Sequence, residues 1–181
     1  MQDFSMPEGA SVATFAGGCF WCLEGPFDQT AGVLFTEVGY TGGQKPDPTY
    51  EEVCAGGTGH AEAIRVGFDP DILSYEQLMY VFWRNIDPIT RDGQFCDHGE
   101  QYRSEIFYHD PQQQAVAQSS IENLNQSGQF KDPVVTAITQ ASTWYPAEDY
   151  HQDYYRKNPV RYKFYRIACG RDNRLKQLWG D

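Results

Sequence analysis

Residues 11–29, SVATFAGGCFWCLEGPFDQ, change character in the middle. Ser11 to Ala16 form a short β-branched and aromatic run that reads as a strand, and Gly17-Gly18 stops it. From Cys19 the pattern reads as the start of a helix. Cys19 and Cys22 therefore fall at a strand-to-helix junction, where backbone N–H groups and the positive end of a helix dipole favour a thiolate. A C-x-x-C pair signals either a redox couple or half of a zinc site. Phe20 and Trp21 between the thiols suit a core as well as a binding floor, so the rest of the chain has to decide.

Working outward, GVLFTEVGY (32–40) reads as a strand and TGGQKPDPTY (41–50) as a loop. HAEAIRVGF (60–68) alternates as a second strand, with His60, Glu62 and Ile64 on one face and Ala61, Ala63 and Arg65 on the other. Ser74 and Gln77 form a capping-box pattern ahead of a helix that puts Leu78, Phe82 and Ile86 on one face and ends before Pro88. ITRDGQFCDHGEQ (89–101) reads as a loop and YRSEIFYH (102–109) as a strand. A helix follows over 111–126, with Pro111 at its permissive first position and Gly128 just past its end. A short strand at Val134 to Thr139 and the polar-aromatic segment AEDYHQDYYRKN (147–158) complete the body. Strands and helices mix without a regular βαβ period. The expectation is one α+β domain over 1–181, a two-layer mixed β-sheet with packed helices, with 160–181 as a C-terminal tail carrying Cys169.

The 181 residues suffice to bury a core without disulfide staples, and a hydrophobic content of 40% with 15% aromatics fits a folded globule. The net charge of -11 argues against nucleic-acid binding, and no apolar run approaches membrane-spanning length. The chain is expected to act as a monomer away from membranes. Five cysteines, an odd count spread along the chain, are unlike a secreted disulfide scaffold. The first residues lack the basic region of a signal peptide, so the expected compartment is the cytoplasm, with the periplasm or an organelle as the alternative if a targeting segment has been removed.

Zinc fits poorly. Beside the one C-x-x-C, the second pair would be Cys96-Asp97-His98, too tight to complete a tetrahedral site. A thioredoxin-like active site also fits poorly, because Phe20 and Trp21 make an apolar floor suited to a small methyl-bearing group. Glu62 lies in an otherwise apolar stretch, and a buried carboxyl there would hold its proton and serve as a general acid. A pure thiol-exchange module would need no such acid.

Taken together, GGCFWCLEGPF, VGYTGG with PDPTYEEVCAGGTGHAEAIRVGFDP, and CDHGEQYRSEIF closely resemble the peptide methionine sulfoxide reductase A family, from about Phe15 to Pro159. The resemblance implies a ferredoxin-like core and a thiol enzyme that reduces the S epimer of methionine sulfoxide, free or in proteins, without metal, flavin or nucleotide, using thioredoxin as reductant. Enzymes of this kind reverse methionine oxidation. On the family pattern Cys19 matches the nucleophile, and Phe20 and Trp21 the pocket for the sulfoxide methyl. Glu62 matches the acid that protonates the sulfoxide oxygen, and Tyr50 and Tyr102 the phenols that bind it. Asp97 matches a polar group near the substrate main chain, and His98 in the same loop is given a positioning role.

Oxygen transfer would leave Cys19 as a sulfenic acid, which condenses with a nearby thiol. Many family members carry Gly where this chain has Cys22 and place recycling cysteines in a glycine-rich tail; this tail has one cysteine and no glycine run. Cys22, three positions from Cys19 on the same helical face, is the first expected resolving thiol, and Cys169 the second. Cys54 and Cys96 are expected to be plain buried thiols.

Overall fold

The computed structural model describes residues 6–180. In chain order its elements are β1 (Ser11–Gly17), α1 (Trp21–Asp28), β2 (Val33–Thr41), α2 (Tyr50–Ala55), β3 (Ala61–Phe68), α3 (Tyr75–Arg84), β4 (Gly93–Gln94), β5 (Asp97–His98), β6 (Ser104–Tyr108), α4 (Pro111–Gln126), β7 (Ala137–Gln140), β8 (Tyr145–Pro146), α5 (Tyr154–Lys157), α6 (Pro159–Ala168) and α7 (Arg171–Trp179). Six strands form one sheet in the order β7-β6-β1-β3-β2-β8, with β6 and β7 parallel and the other pairs antiparallel. Its centre, β6-β1-β3-β2, has the strand order and the β1-α1-β2-β3-α3-β6 connection of a ferredoxin-like core.

The register explains which side chains meet. Phe15 lies opposite Ile64 and Ile106, and Ile64 opposite Val38, so these residues share the face on which Phe20, Leu23, Phe27, Leu78 and Phe82 pack. Glu62 sits opposite Tyr40 in the same row, at the end of β3. Ala16, Ala61, Ala63 and Phe107 form a smaller cluster against Trp144 on the opposite face. The alternation expected for residues 60–68 thus holds. Because β3 is central, however, both faces are covered and Arg65 is ion-paired to buried Glu37 at 2.6 Å.

Local chemistry sets the helix boundaries. Ser74 accepts from the N–H of Gln77 at 3.1 Å while the Gln77 side chain accepts from Ser74 N–H at 2.8 Å, the reciprocal cap expected for α3. Asp110 caps α4 by accepting from Gln113 N–H at 2.8 Å. Helix α2 was not anticipated, although Thr49 and Glu52 form the same capping box. Three further corrections apply. The strand expected over Val134 to Thr139 is observed as Ala137–Gln140. The loop 89–101 contains the β4–β5 hairpin and the start of a 3-10 turn, Glu100–Tyr102. The tail is two helices, α6 and α7, the second of which opens on a buried cation.

That cation is Arg171, 2% exposed, whose Nη2 donates to the carbonyls of Gly17 at 3.1 Å and Asn85 at 2.7 Å. Its guanidinium also lies 4.4 Å from the centroid of the Phe95 ring. The first residue of α7 is therefore bolted to the end of β1, directly before the thiols. Gly17 is required there because a Cβ would lie 2.4 Å from Ile86 Cγ2, and Gly18 because its φ is +84°. Arg171→Ala leaves two buried carbonyls without a charged donor and is expected to cost about 3 kcal/mol of stability. Equilibrium urea unfolding measures it, and a loss below about 1 kcal/mol would contradict the anchoring role.

Candidate active site

The turn at Gly17-Gly18 delivers Cys19 and Phe20 to the start of α1, where Cys22 N–H donates to Cys19 O at 3.0 Å. Phe20 N–H then points across to β3 and donates to Glu62 Oε2 at 3.1 Å. Cys19, Phe20, Trp21, Tyr50, Glu62, Asp97, Tyr102 and Tyr165 line one cavity of about 70 Å³. At roughly 30 Å³ per water-sized group, that space holds a methyl and an oxygen and little more.

The electrostatics divide the residues by role. Burial pushes the Glu62 carboxyl up to about 8, the Phe20 N–H pulling in the opposite direction and Asp97 and Cys22 adding to the rise. Glu62 is therefore a neutral acid at pH 7. The phenols of Tyr50 and Tyr102 are pushed up by burial and by Glu62, so they remain donors. Burial, then the Cys22 contact and nearby carboxylates, hold Cys19 well above the ordinary thiol range. This corrects the expectation that the helix start would stabilise a Cys19 thiolate: the thiol is 6% exposed, and desolvation outweighs the dipole. The shift is opposite at Cys22, which is lowered by the hydrogen bond from Cys19 and then by Arg171 and Arg166, against burial. The two thiols titrate as a pair, with Cys19 holding its proton in preference to Cys22.

Several residues in the site were not anticipated. His151 is fully buried, and its Nδ1 accepts from Trp21 Nε1–H at 3.0 Å. Its ring packs 4.3 Å from Tyr50 and 5.1 Å from Phe20, centroid to centroid. Tyr154 stacks on Trp21 at 3.8 Å. Glu148 accepts from Tyr40 OH and from Tyr50 N–H, tying β2 to the start of α2. Buried Glu24 accepts from Asp153 N–H at 3.0 Å, clamping α1 to the segment that carries Tyr154. Tyr165 donates to Asp97 Oδ2 and presents its edge to Trp21. The signal for most of these was the dense aromatic and charged run 147–158; nothing in the sequence pointed to Tyr165.

Two site expectations need correction. His98 is exposed and does not line the cavity; it pairs with Gly93 across the β4–β5 hairpin. Cys96 is an exposed residue joined to Cys169 in a disulfide, Cα atoms 5.0 Å apart, and is not a buried thiol. Cys54 is half-buried and contacts the hydroxyls of Tyr50 and Tyr102. Cys19, Cys22 and Cys54 are free.

Residues 11–181 match the family model described as peptide methionine sulfoxide reductase. The chain is 53% identical to the peptide methionine sulfoxide reductase MsrA of Bacillus licheniformis over 175 residues, covering 97% of each. Among solved structures it is similar to reduced Mxr1 from Saccharomyces cerevisiae, with a TM-score of 0.80 and 30% identity over 88% of this chain and 92% of that one. It also resembles in fold the yeast protein crystallised in complex with Trx2, at 20% identity and a TM-score of 0.58 over 84% of this chain and 91% of that one. A thiol and a neutral carboxylic acid facing one methyl-sized cavity, in a chain with these relatives, identify a member of the peptide methionine sulfoxide reductase A family, the enzymes that reduce methionine-S-sulfoxide to methionine.

Proposed function

We propose that Cys19 attacks the sulfoxide sulfur while Glu62 protonates the oxygen, and that Cys22 both accepts the Cys19 proton and later resolves the sulfenic acid. The observation that carries this reading is the neutral Glu62 carboxyl facing the same small cavity as Cys19. Sulfoxide sulfur is electrophilic only as its oxygen gains a proton, so acid and nucleophile have to reach one substrate together. Tyr50 and Tyr102 donate to the oxygen. The Phe20 and Trp21 rings take the methyl, held in place by His151 and Tyr154. With methyl and oxygen sites fixed, only one configuration at sulfur directs its remaining substituent to the mouth. Asp97, held by Tyr165, faces the substrate main chain.

The sum of the first step is thiol plus sulfoxide giving sulfenic acid plus methionine. Cys22 then attacks the Cys19 sulfur and releases water, forming a Cys19–Cys22 disulfide. Cys169 follows in sequence: the Cys96 and Cys169 dithiol takes the disulfide by exchange, and a thioredoxin returns two electrons and two protons to it. The surface position of Cys96 supports that last step, as does the solved complex of the yeast protein with Trx2. The cycle suits a reducing compartment such as the cytoplasm. Among the described residues no helix is long and apolar enough to cross a membrane.

Two sets of measurements test this. In single turnover with methionine-S-sulfoxide, Cys19→Ser forms no methionine. Cys22→Ser still forms one equivalent, but more slowly because the acceptor of the Cys19 proton is gone, then accumulates Cys19 sulfenic acid, read by thiol-specific labelling and peptide mapping. A Cys19–Cys169 disulfide formed at the normal rate in Cys22→Ser would overturn the order proposed. The pH profile gives the second. A Cys22 thiolate is present above about 6 and a neutral Glu62 below about 8, so the single-turnover rate is bell-shaped between them. Above the upper limb it falls roughly tenfold per pH unit as Glu62 ionises. Glu62→Gln lowers the plateau by about 10²-fold and removes that limb; an unchanged rate removes Glu62 from the chemistry.

A further inference from the structure

Helix α6 buries none of its residues. Its inner face is used: Tyr162 hydrogen-bonds Cys22, Tyr165 holds Asp97, and Cys169 at its end is bonded to Cys96. Its outer face carries Val160, 82% exposed, Phe164, 75%, and Ile167, 65%. Positions i, i+4 and i+7 form one stripe along a helix, so these are a contiguous apolar strip and not scattered surface residues. Arg161 and Lys163 flank it. Residues 154–171 hold no Asp or Glu in a protein of net charge -11; of their six Lys and Arg, Arg171 is buried and Arg156 and Arg166 are ion-paired, which leaves Lys157, Arg161 and Lys163 for the surface.

We propose that this stripe is the docking surface for a small dithiol reductase of thioredoxin type, one whose reactive thiol is framed by apolar contacts and an acidic rim. The inference rests on the recycling role of Cys96 and Cys169 given above. Continuity with that disulfide selects this occupant: the stripe ends at Ile167, two residues before Cys169. The helix then stops at Gly170, beside which a Cβ would meet nothing within 4 Å, so a protein seated on the outer face reaches the disulfide around an open helix end. The charge pattern selects the acidic rim. In the exchange the partner's thiolate attacks the exposed Cys96 sulfur and expels Cys169 as a thiolate. Cys96 N–H, 3.2 Å from Cys169 Sγ, and Arg174, which lines the same cleft as Cys169, favour that leaving group. The partner's second thiol then displaces Cys96, leaving this chain as dithiol and the partner as disulfide.

The test compares turnover driven by thioredoxin with turnover driven by dithiothreitol in Phe164→Ser with Ile167→Ser, and separately in Arg161→Glu with Lys163→Glu. Both double variants are expected to raise the KM for thioredoxin at least tenfold, and to leave dithiothreitol-driven turnover and the single-turnover methionine yield unchanged. The wild-type KM should rise with salt, and the charge variant should lose that dependence. An unchanged thioredoxin KM in both variants overturns the proposal. So does sedimentation of the wild type as a dimer that Phe164→Ser dissociates without changing that KM, which would assign the stripe to a second copy. Failure of the underlying reading looks different: Cys96→Ser and Cys169→Ser would each keep full thioredoxin-driven turnover.

Discussion

The hydrogen bond from Phe20 N–H to Glu62 Oε2 is the constraint around which the site is organised. Glu62 lies in the helix-facing row of the central strand, where a carboxylate would lose nearly all hydration. One backbone donor offsets part of that loss but not enough to ionise the group, so the acid keeps the proton the reaction uses. The same bond fixes the backbone one residue after Cys19, so the Glu62 carboxyl and the Cys19 thiol are positioned by a single contact. The contact forms only because Gly17-Gly18 turn the chain sharply at the end of β1. The rings of His151, Tyr50 and Tyr154 then pack around Phe20 and Trp21.

The sulfurs are sorted by environment. Cys19 and Cys22 lie buried against the core, and the cavity beside Cys19 admits only a small group. Cys96 and Cys169 form their bond at the surface, where another protein can reach it. Arg171 lies between the two pairs, anchoring the chain before Cys19 with one hydrogen bond and biasing the Cys22 thiol by its charge. A helix that buries nothing thus remains attached where both pairs need it.

The core strands and helices were legible because strand alternation in residues 60–68 and the capping box at Ser74 are local signals; their ferredoxin-like arrangement came from the family resemblance, and the one-face placement of His60, Glu62 and Ile64 from strand geometry. The C-terminal helices were not legible. Helix α6 lacks a buried apolar face, so its pattern gives no core-facing stripe to detect. The Cys96–Cys169 bond spans 73 residues, a pairing that spacing cannot select. The direction of the Cys19 shift was misjudged for a different reason: a helix start is visible in sequence, but the desolvation that outweighs it depends on what packs around the thiol. That Asp97 lines the cavity while its neighbour His98 is exposed depends on the short β4–β5 hairpin, which the sequence reading took as loop.

The cavity of about 70 Å³ leaves room for the end of one side chain and none for the backbone that bears it. A methionine sulfoxide carried by a protein reaches such a cavity only where its side chain stands clear of the host's surface. Residues in frayed termini and mobile loops do so at little cost, whereas a residue packed in a core has to wait for a local opening of its host. For a methionine sulfoxide within a protein, the opening free energy of that host therefore limits how readily the side chain is presented to such a cavity.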